Sequence, residues 1–244
     1  MGIKSRLRTS SVARSARELL TGVGEISDTP FKSIARNLEN CQISGVIDVG
    51  ANVGQFGLDI RRHGFKGQIV SFEPVSETFT LLTETIKKYQ SWKAFQIGLG
   101  ASESVESINI SGNAGLSSSL LKMSPVHLEN FPDSATVSNQ KVIISTLDNQ
   151  LETLGIDPRR ILLKLDVQGY EAEVLMGAVK SLKLIPLCYL EVSLVPLYES
   201  ETTFLPILNT LSDAGHEVID IFRGIQAKDG QLLQMDILTK LAVK

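Results

Sequence analysis

Two short stretches hold residues whose types and spacing point to chemistry. The first is Val46-Ile47-Asp48-Val49-Gly50-Ala51-Asn52-Val53-Gly54, and the second, further on, is Phe72-Glu73-Pro74. Val46 to Val49 form an apolar run of strand type. Gly50 and Gly54 then bracket a tight turn, and Phe56 and Ile60 open a helical apolar stripe. A strand that turns through glycines into a helix start gathers bare backbone N–H groups and partial positive charge at one point, ready for an anionic group. Glu73 closes the next strand, Ile69-Val70-Ser71-Phe72, where a carboxylate accepts hydrogen bonds from two ribose hydroxyls. Together these features predict a nucleoside site.

Spacing then separates two ligands. Dinucleotide enzymes use G-x-G-x-x-G, in which the second glycine lets the backbone approach the pyrophosphate. Here Asn52 takes that position and the pattern is G-x-x-x-G. S-adenosylmethionine has no pyrophosphate, but it needs room for a methionine carboxylate and amine. Asp48, just before the turn, is the acid expected to meet that ammonium, directly or through water. Adenosylmethionine is therefore expected ahead of a nicotinamide dinucleotide, and an NAD(P)-dependent oxidoreductase is the alternative within the same fold.

An acceptor that carries a proton would also need a base, either a side chain or a metal that acidifies it. Asp166 and Glu191 stand at the carboxyl ends of adjacent strands, the edge of an open sheet where ligands bind. Asp166 is the leading candidate for base or metal ligand; its competing role is a cap for the helix that follows. With Glu191 it would offer oxygen ligands suited to magnesium or manganese. His127 is the third candidate base. It lies in a polar segment, 112 to 139, that is expected to form a mobile lid over the pocket. Lys164, between Leu163 and Leu165, would need a carboxylate partner at core depth, with Asp148 or Glu191 the candidates. Tyr170 and Tyr198 suit either an acceptor pocket or ordinary aromatic packing.

These residues need a scaffold. From residue 46 onward strand and helix periods alternate, which predicts an α/β domain: a seven-stranded, mostly parallel sheet with helices on both faces. The chain closes on two strands around Lys228-Asp229-Gly230, which implies an antiparallel final strand. The boundaries expected are a helical extension over 1–40, split near Gly22-Val23-Gly24 and Asp28-Thr29-Pro30, and the main domain over 41–244. At 244 residues the chain is short of two typical domains. Its net charge of −3 speaks against a nucleic-acid partner. The basic N-terminal stretch, Lys4, Arg6, Arg8, Arg14 and Arg17, reads as a solvated arm, with peripheral contact to an anionic membrane as the second reading. The chain shows neither a signal-peptide core nor a membrane-length apolar run, so the cytoplasm is the expected location. Cys41 and Cys188 lie far apart, without metal-ligand spacing.

Four segments together resemble the FkbM family of S-adenosylmethionine-dependent methyltransferases. They are the Val46–Gly54 run, Phe72-Glu73-Pro74, Leu116-Ser117-Ser118-Ser119-Leu120, and Leu163-Lys164-Leu165-Asp166-Val167-Gln168-Gly169-Tyr170-Glu171 preceded by Thr146-Leu147-Asp148. The resemblance runs from about Val46 to Lys240. It implies a class I, Rossmann-like methyltransferase acting on a hydroxyl of a sugar, glycolipid, polysaccharide or secondary metabolite. It further implies a cofactor set of Asp48, Gly50, Ala51, Asn52, Gly54, Glu73, Pro74 and Ser118, with Asp48, Gly50 and Asn52 at the methionine end and Glu73 on the ribose. Many relatives carry glutamate where this chain has Gln168, and a neutral amide can be neither a base nor a strong metal ligand. That departure keeps open a protein that retains the fold for binding without turnover.

Overall fold

The computed structural model describes residues 30–242. The basic arm and the expected helical breaks before Pro30 lie outside them. Seven strands form the main sheet in the order β3-β2-β1-β7-β8-β10-β9. The strands are β1 (Gly45–Val49), β2 (Gln68–Phe72), β3 (Trp92–Phe95), β7 (Ile161–Leu165), β8 (Leu187–Ser193), β9 (His216–Arg223) and β10 (Gln234–Leu241). From β3 through β8 neighbours run parallel, and β10 is antiparallel to both β8 and β9. The expected antiparallel final strand is therefore present, inserted between β8 and β9.

The order follows from burial. All five residues of β7, Ile-Leu-Leu-Lys-Leu, are buried, the pattern of a strand covered on both faces. Leu163 and Leu165 point into one apolar layer beneath α5 (Leu147–Leu154), α6 (Glu171–Met176) and α7 (Phe204–Asp213). Leu162 points into the other, beneath α1 (Pro30–Asn40), α2 (Gln55–Arg62) and α3 (Ser76–Ile86). Helix α1, the end of the expected extension, thus seats Ile34 and Leu38 on the sheet.

The atypical stretch after β3 is more ordered than its composition predicts. The third strand stops at Phe95, and β4 (Gly98–Leu99) leaves to join a second sheet of order β4-β6-β5. β5 (Ser104–Ser111) pairs antiparallel with β6 (Thr136–Ser145). The expected lid region therefore loses its last residues to β6. The rest carries the short helix α4 (Pro125–Asn130) and anchors to the loop after β8: Met123 bridges Tyr198, and Leu121, Met123 and Phe131 pack on Leu197 and Tyr198.

Candidate active site

A cavity of about 410 Å³ opens at the carboxyl ends of β1, β2, β7 and β8, walled on its outer side by Gly115, Leu116 and Ser118 to Leu120. Its floor is the glycine turn. Gly50 and Asn52 adopt positive φ, at 71° and 46°, and Gly50 and Ala51 donate their N–H groups to the Phe72 carbonyl at 3.0 and 3.1 Å. Glycine is required at 50 for a second reason: a Cβ there would stand 1.9 Å from the Asp166 carbonyl oxygen. The first turn and the loop after β7 are in backbone contact.

Glu73 ties the turn to β2. One carboxylate oxygen accepts the Asn52 N–H at 2.8 Å, and the other accepts from the Val75 N–H at 2.9 Å and the Thr78 hydroxyl at 3.0 Å. Burial pushes its carboxyl above the ordinary range, and these donors pull it partly back. Phe72, Val75, Leu99, Ile108 and Leu120 supply apolar wall beside it.

Beneath the turn, Asp48 is fully buried and pairs with the Lys164 ammonium at 3.1 Å. The Lys164 partner is therefore Asp48, not the expected Asp148 or Glu191. Asp148 instead accepts the Lys180 and Ser181 N–H groups. Lys164 also donates to the Gly50 and Val49 carbonyls at 2.8 and 3.2 Å and lies 3.8 Å from Asp166. Burial alone would lower its ammonium, but Asp48 and Asp166 beside it hold it above the ordinary range. A lone charge at this depth would be strongly destabilising, so the pair is obligatory.

Above Lys164 stand three carboxylates: Asp166, Glu191 and Asp236. Antiparallel pairing sets Glu191 opposite Asp236. The Gln168 amide nitrogen donates to Asp166 at 2.7 Å and to Glu191 at 3.0 Å, and Gln234 donates to Glu191 at 3.1 Å. Burial, then the charges of Asp166 and Asp236, push the Glu191 carboxyl well up. Burial pushes Asp236 up to about 6. Asp166, with its side chain 42% exposed, is the accessible member of the group. Phe31, Phe56 and Tyr189 line the neighbouring wall, with Phe56 and Tyr189 stacked at 5.6 Å between ring centroids.

The expected residues divide as follows. Gly50, Ala51, Asn52, Glu73, Pro74, Ser118, Asp166 and Glu191 all line the cavity. Asp48 and Gly54 lie behind it: Asp48 under Lys164, and Gly54 (φ 92°) where a Cβ would meet Leu82 and Trp92. His127 is not among the lining residues. It is buried between Tyr198 and Phe131, at centroid distances of 5.0 and 5.4 Å, and burial lowers its imidazole. Among the described residues neither of its ring nitrogens has a hydrogen-bond partner. Asp236, Tyr189 and Phe31 are additions that the sequence reading missed. An acid between Met235 and Ile237 in a buried strand was the available signal for Asp236.

A glycine turn between β1 and α2, an acid closing β2 and an antiparallel strand inserted near the sheet edge define a methyltransferase of the Rossmann-like class. The chain belongs to the FkbM methyltransferases, since the Methyltransferase FkbM domain matches residues 48–218. This membership sets aside the nicotinamide oxidoreductase reading. No curated protein sequence matches the chain. Among solved structures it is similar to a Klebsiella pneumoniae protein provisionally described as an O-methyltransferase (10% identity, 99% of this chain and 92% of that one, TM-score 0.49). It is also similar to an rRNA methylase from Streptococcus thermophilus (8% identity, 89% and 99%, TM-score 0.48). A third is Aeropyrum pernix fibrillarin with natively bound S-adenosyl-L-methionine (13% identity, 85% and 74%, TM-score 0.44).

The cavity fits adenosylmethionine by its donor set. It has an acid for a ribose diol, apolar walls for a purine, and acidic side chains in excess of its single lysine to face a ligand of net positive charge. It does not fit a divalent cation. Among the described residues no group of three or more His, Cys, Asp or Glu side chains has metal-holding geometry, and the Gln168 amide already donates to both Asp166 and Glu191.

Proposed function

We propose that this methyltransferase methylates a hydroxyl of a sugar, glycolipid, polysaccharide or secondary metabolite, with Asp166 as the proton acceptor and without a metal. The observation that carries the reading is the unequal exposure of the neighbouring carboxylates. Glu191 is buried and pushed toward its protonated form, whereas Asp166 is accessible and lies 3.8 Å from the Lys164 ammonium. Asp166 is thus the carboxylate that an acceptor hydroxyl can reach.

The cofactor, when bound, supplies an electrophilic methyl group. Gly50, Ala51 and Asn52 with Glu73 and Pro74 would hold it, and Ser118 would close the outer wall. Asp48 acts from below, fixing Lys164 against the Val49 and Gly50 carbonyls. The remaining space, lined by Phe31, Phe56, Tyr189 and Asp236, receives the acceptor. Asp166 takes the hydroxyl proton as the oxygen acquires the methyl, and alignment of the two reactants supplies much of the rate. The acid-rich lining and the net charge of −3 support a neutral acceptor over a nucleic acid. No helix among the described residues is long and apolar enough to cross a membrane. A cytoplasmic location with a solvated basic arm belongs to this proposal, and peripheral contact of that arm with an anionic membrane is its second reading.

The test is incubation with labelled adenosylmethionine and fractionated glycolipids, polysaccharides and small metabolites of the source organism. Label is expected on a hydroxyl, with activity indifferent to EDTA. Loss of activity in EDTA and its return with magnesium would replace the lone base by a metal. Binding of adenosylmethionine with no transfer to any fraction would favour a binding protein.

A further inference from the structure

The loop after β7 holds Gln168 in a left-handed conformation, φ 56°, followed by Gly169 at 92°. A non-glycine residue in that region is strained and persists only where its surroundings fix it. Here they fix both ends. The Ser119 hydroxyl donates to the Gln168 carbonyl at 2.6 Å, and the Tyr198 hydroxyl donates to the side-chain oxygen at 2.8 Å. Tyr198 is itself fully buried, and its hydroxyl also lies 3.2 Å from the Ser117 carbonyl. With Oε1 occupied by a donor, Nε2 must face the acids, and it reaches Asp166 Oδ1 at 2.7 Å and Glu191 Oε2 at 3.0 Å. A flipped amide would set an oxygen against two carboxylates and lose all three bonds. The amide nitrogen has two hydrogens, one for each carboxylate.

We infer that Gln168 is a positioning residue whose Nε2 fills the seat between Asp166 and Glu191 that a divalent cation takes between bridged carboxylates. It acts through Asp166, holding Oδ1 and leaving Oδ2, on the Lys164 side, for the acceptor proton. Hard cations require oxygen ligands, and an N–H donor in that seat excludes them. Its catalytic meaning rests on the reading of Asp166 given above. The geometric claim does not, and it can be tested without methyl transfer.

The test uses the full chain loaded with adenosylhomocysteine and titrated with Mn²⁺ alone, read by electron paramagnetic resonance and calorimetry. The wild type is expected to show no Mn²⁺ site that Asp166→Asn removes. Gln168→Glu, an isostere, exchanges the donor for a third carboxylate and is expected to bind Mn²⁺ roughly tenfold or more tightly than the wild type. Adding Asp166→Asn to that variant should abolish the gain. If Gln168→Glu does not fold, Gln168→Ala vacates the same seat and should show a smaller gain, again lost with Asp166→Asn. A folded variant, shown by intact adenosylhomocysteine binding, with no gain in Mn²⁺ affinity overturns the inference. So does a wild type that already binds Mn²⁺ as tightly through Asp166. Failure to find a methyl acceptor would touch only the proposed function.

Discussion

At the scale of single residues, the acids of the cavity do different work because their surroundings differ. Glu73 is satisfied by three donors of its own fold. Its removal should therefore cost both a ribose acceptor and the brace of the turn. Glu73→Ala is expected to weaken adenosylhomocysteine by roughly 1.5–3 kcal/mol in calorimetry, the range for charge-assisted hydrogen bonds. An unchanged dissociation constant in a folded variant would remove Glu73 from the ligand's contacts. Asp166 is exposed, and its Oδ1 is held from the side by Gln168. Asp166→Asn should leave adenosylhomocysteine affinity nearly intact while lowering turnover about a hundredfold or more, the usual scale of acid–base assistance. Near wild-type turnover would place the base elsewhere; the helix-cap role is not available to Asp166, since the following helix starts at Glu171 with Tyr170 at its N-cap and no side-chain cap bond. The sequence showed Glu73, Asp166 and the glycines because each ends a strand and pattern marks strand ends. It could not show that Asp48 pairs with Lys164, since that contact is set by the parallel register of β1 against β7.

The elements divide the expected lid into two parts with different attachments. From Ser117 to Ser124 the segment is fastened to Tyr198, Gln168 and Pro196 by hydrogen bonds. Asn113 to Leu116 is held mainly through the local Ser111–Asn113–Ser117 network, whereas Gly112 donates its N–H to the Ala135 carbonyl at 3.0 Å. Hydrogen exchange should show slow amides at Gly112, Ser119 and Ser124 with or without adenosylhomocysteine, and protection gained on binding only over 113 to 116. Gain along the whole of 112 to 135 would restore a single mobile lid, and no gain anywhere would make all of it a fixed wall. This distinction was not legible in composition. Glycine and serine report a segment too polar for the core, but not which hydroxyls find partners on the loop after β8. Tyr198, about equally readable from sequence as pocket wall or packing, proves to be the fully buried post on which that segment leans. The main sheet, by contrast, was legible nearly strand for strand, because each strand is a short apolar run closed by turn residues.

For the molecule as a whole, the buried acids predict how stability varies with pH. Burial pushes Glu171, which accepts the Val167 N–H at 2.9 Å, up to about 8. A carboxyl whose folded value lies above its unfolded one binds its proton more tightly in the native state. Its contribution is full below the ordinary glutamate range and is lost as pH rises through about 8. Asp236 adds a smaller loss as pH rises through about 6. The unfolding free energy from urea titrations should therefore fall by an amount on the order of a few kcal/mol as pH rises from the ordinary glutamate range to about 8, and level off above that. Glu171→Gln, which keeps an acceptor for Val167, should flatten that fall. Parallel pH profiles for the two proteins would show that Glu171 ionises in the fold at no cost.

The contact between Gly50 and the Asp166 carbonyl bears on how such a domain can be inherited or rebuilt. A side chain at 50 would occupy the place of that oxygen, and the Asp166 N–H is bonded to the Val49 carbonyl at 3.2 Å. The two loops, more than a hundred positions apart in sequence, thus form one heritable part. A chimera that takes the first turn from one parent and the loop after β7 from another must match both backbones at this point, however well each half folds in its own parent. Loop exchange aimed at new acceptors has its freedom elsewhere, along the outer wall at Leu116 and around Phe31, where side chains and not two backbones in contact line the cavity.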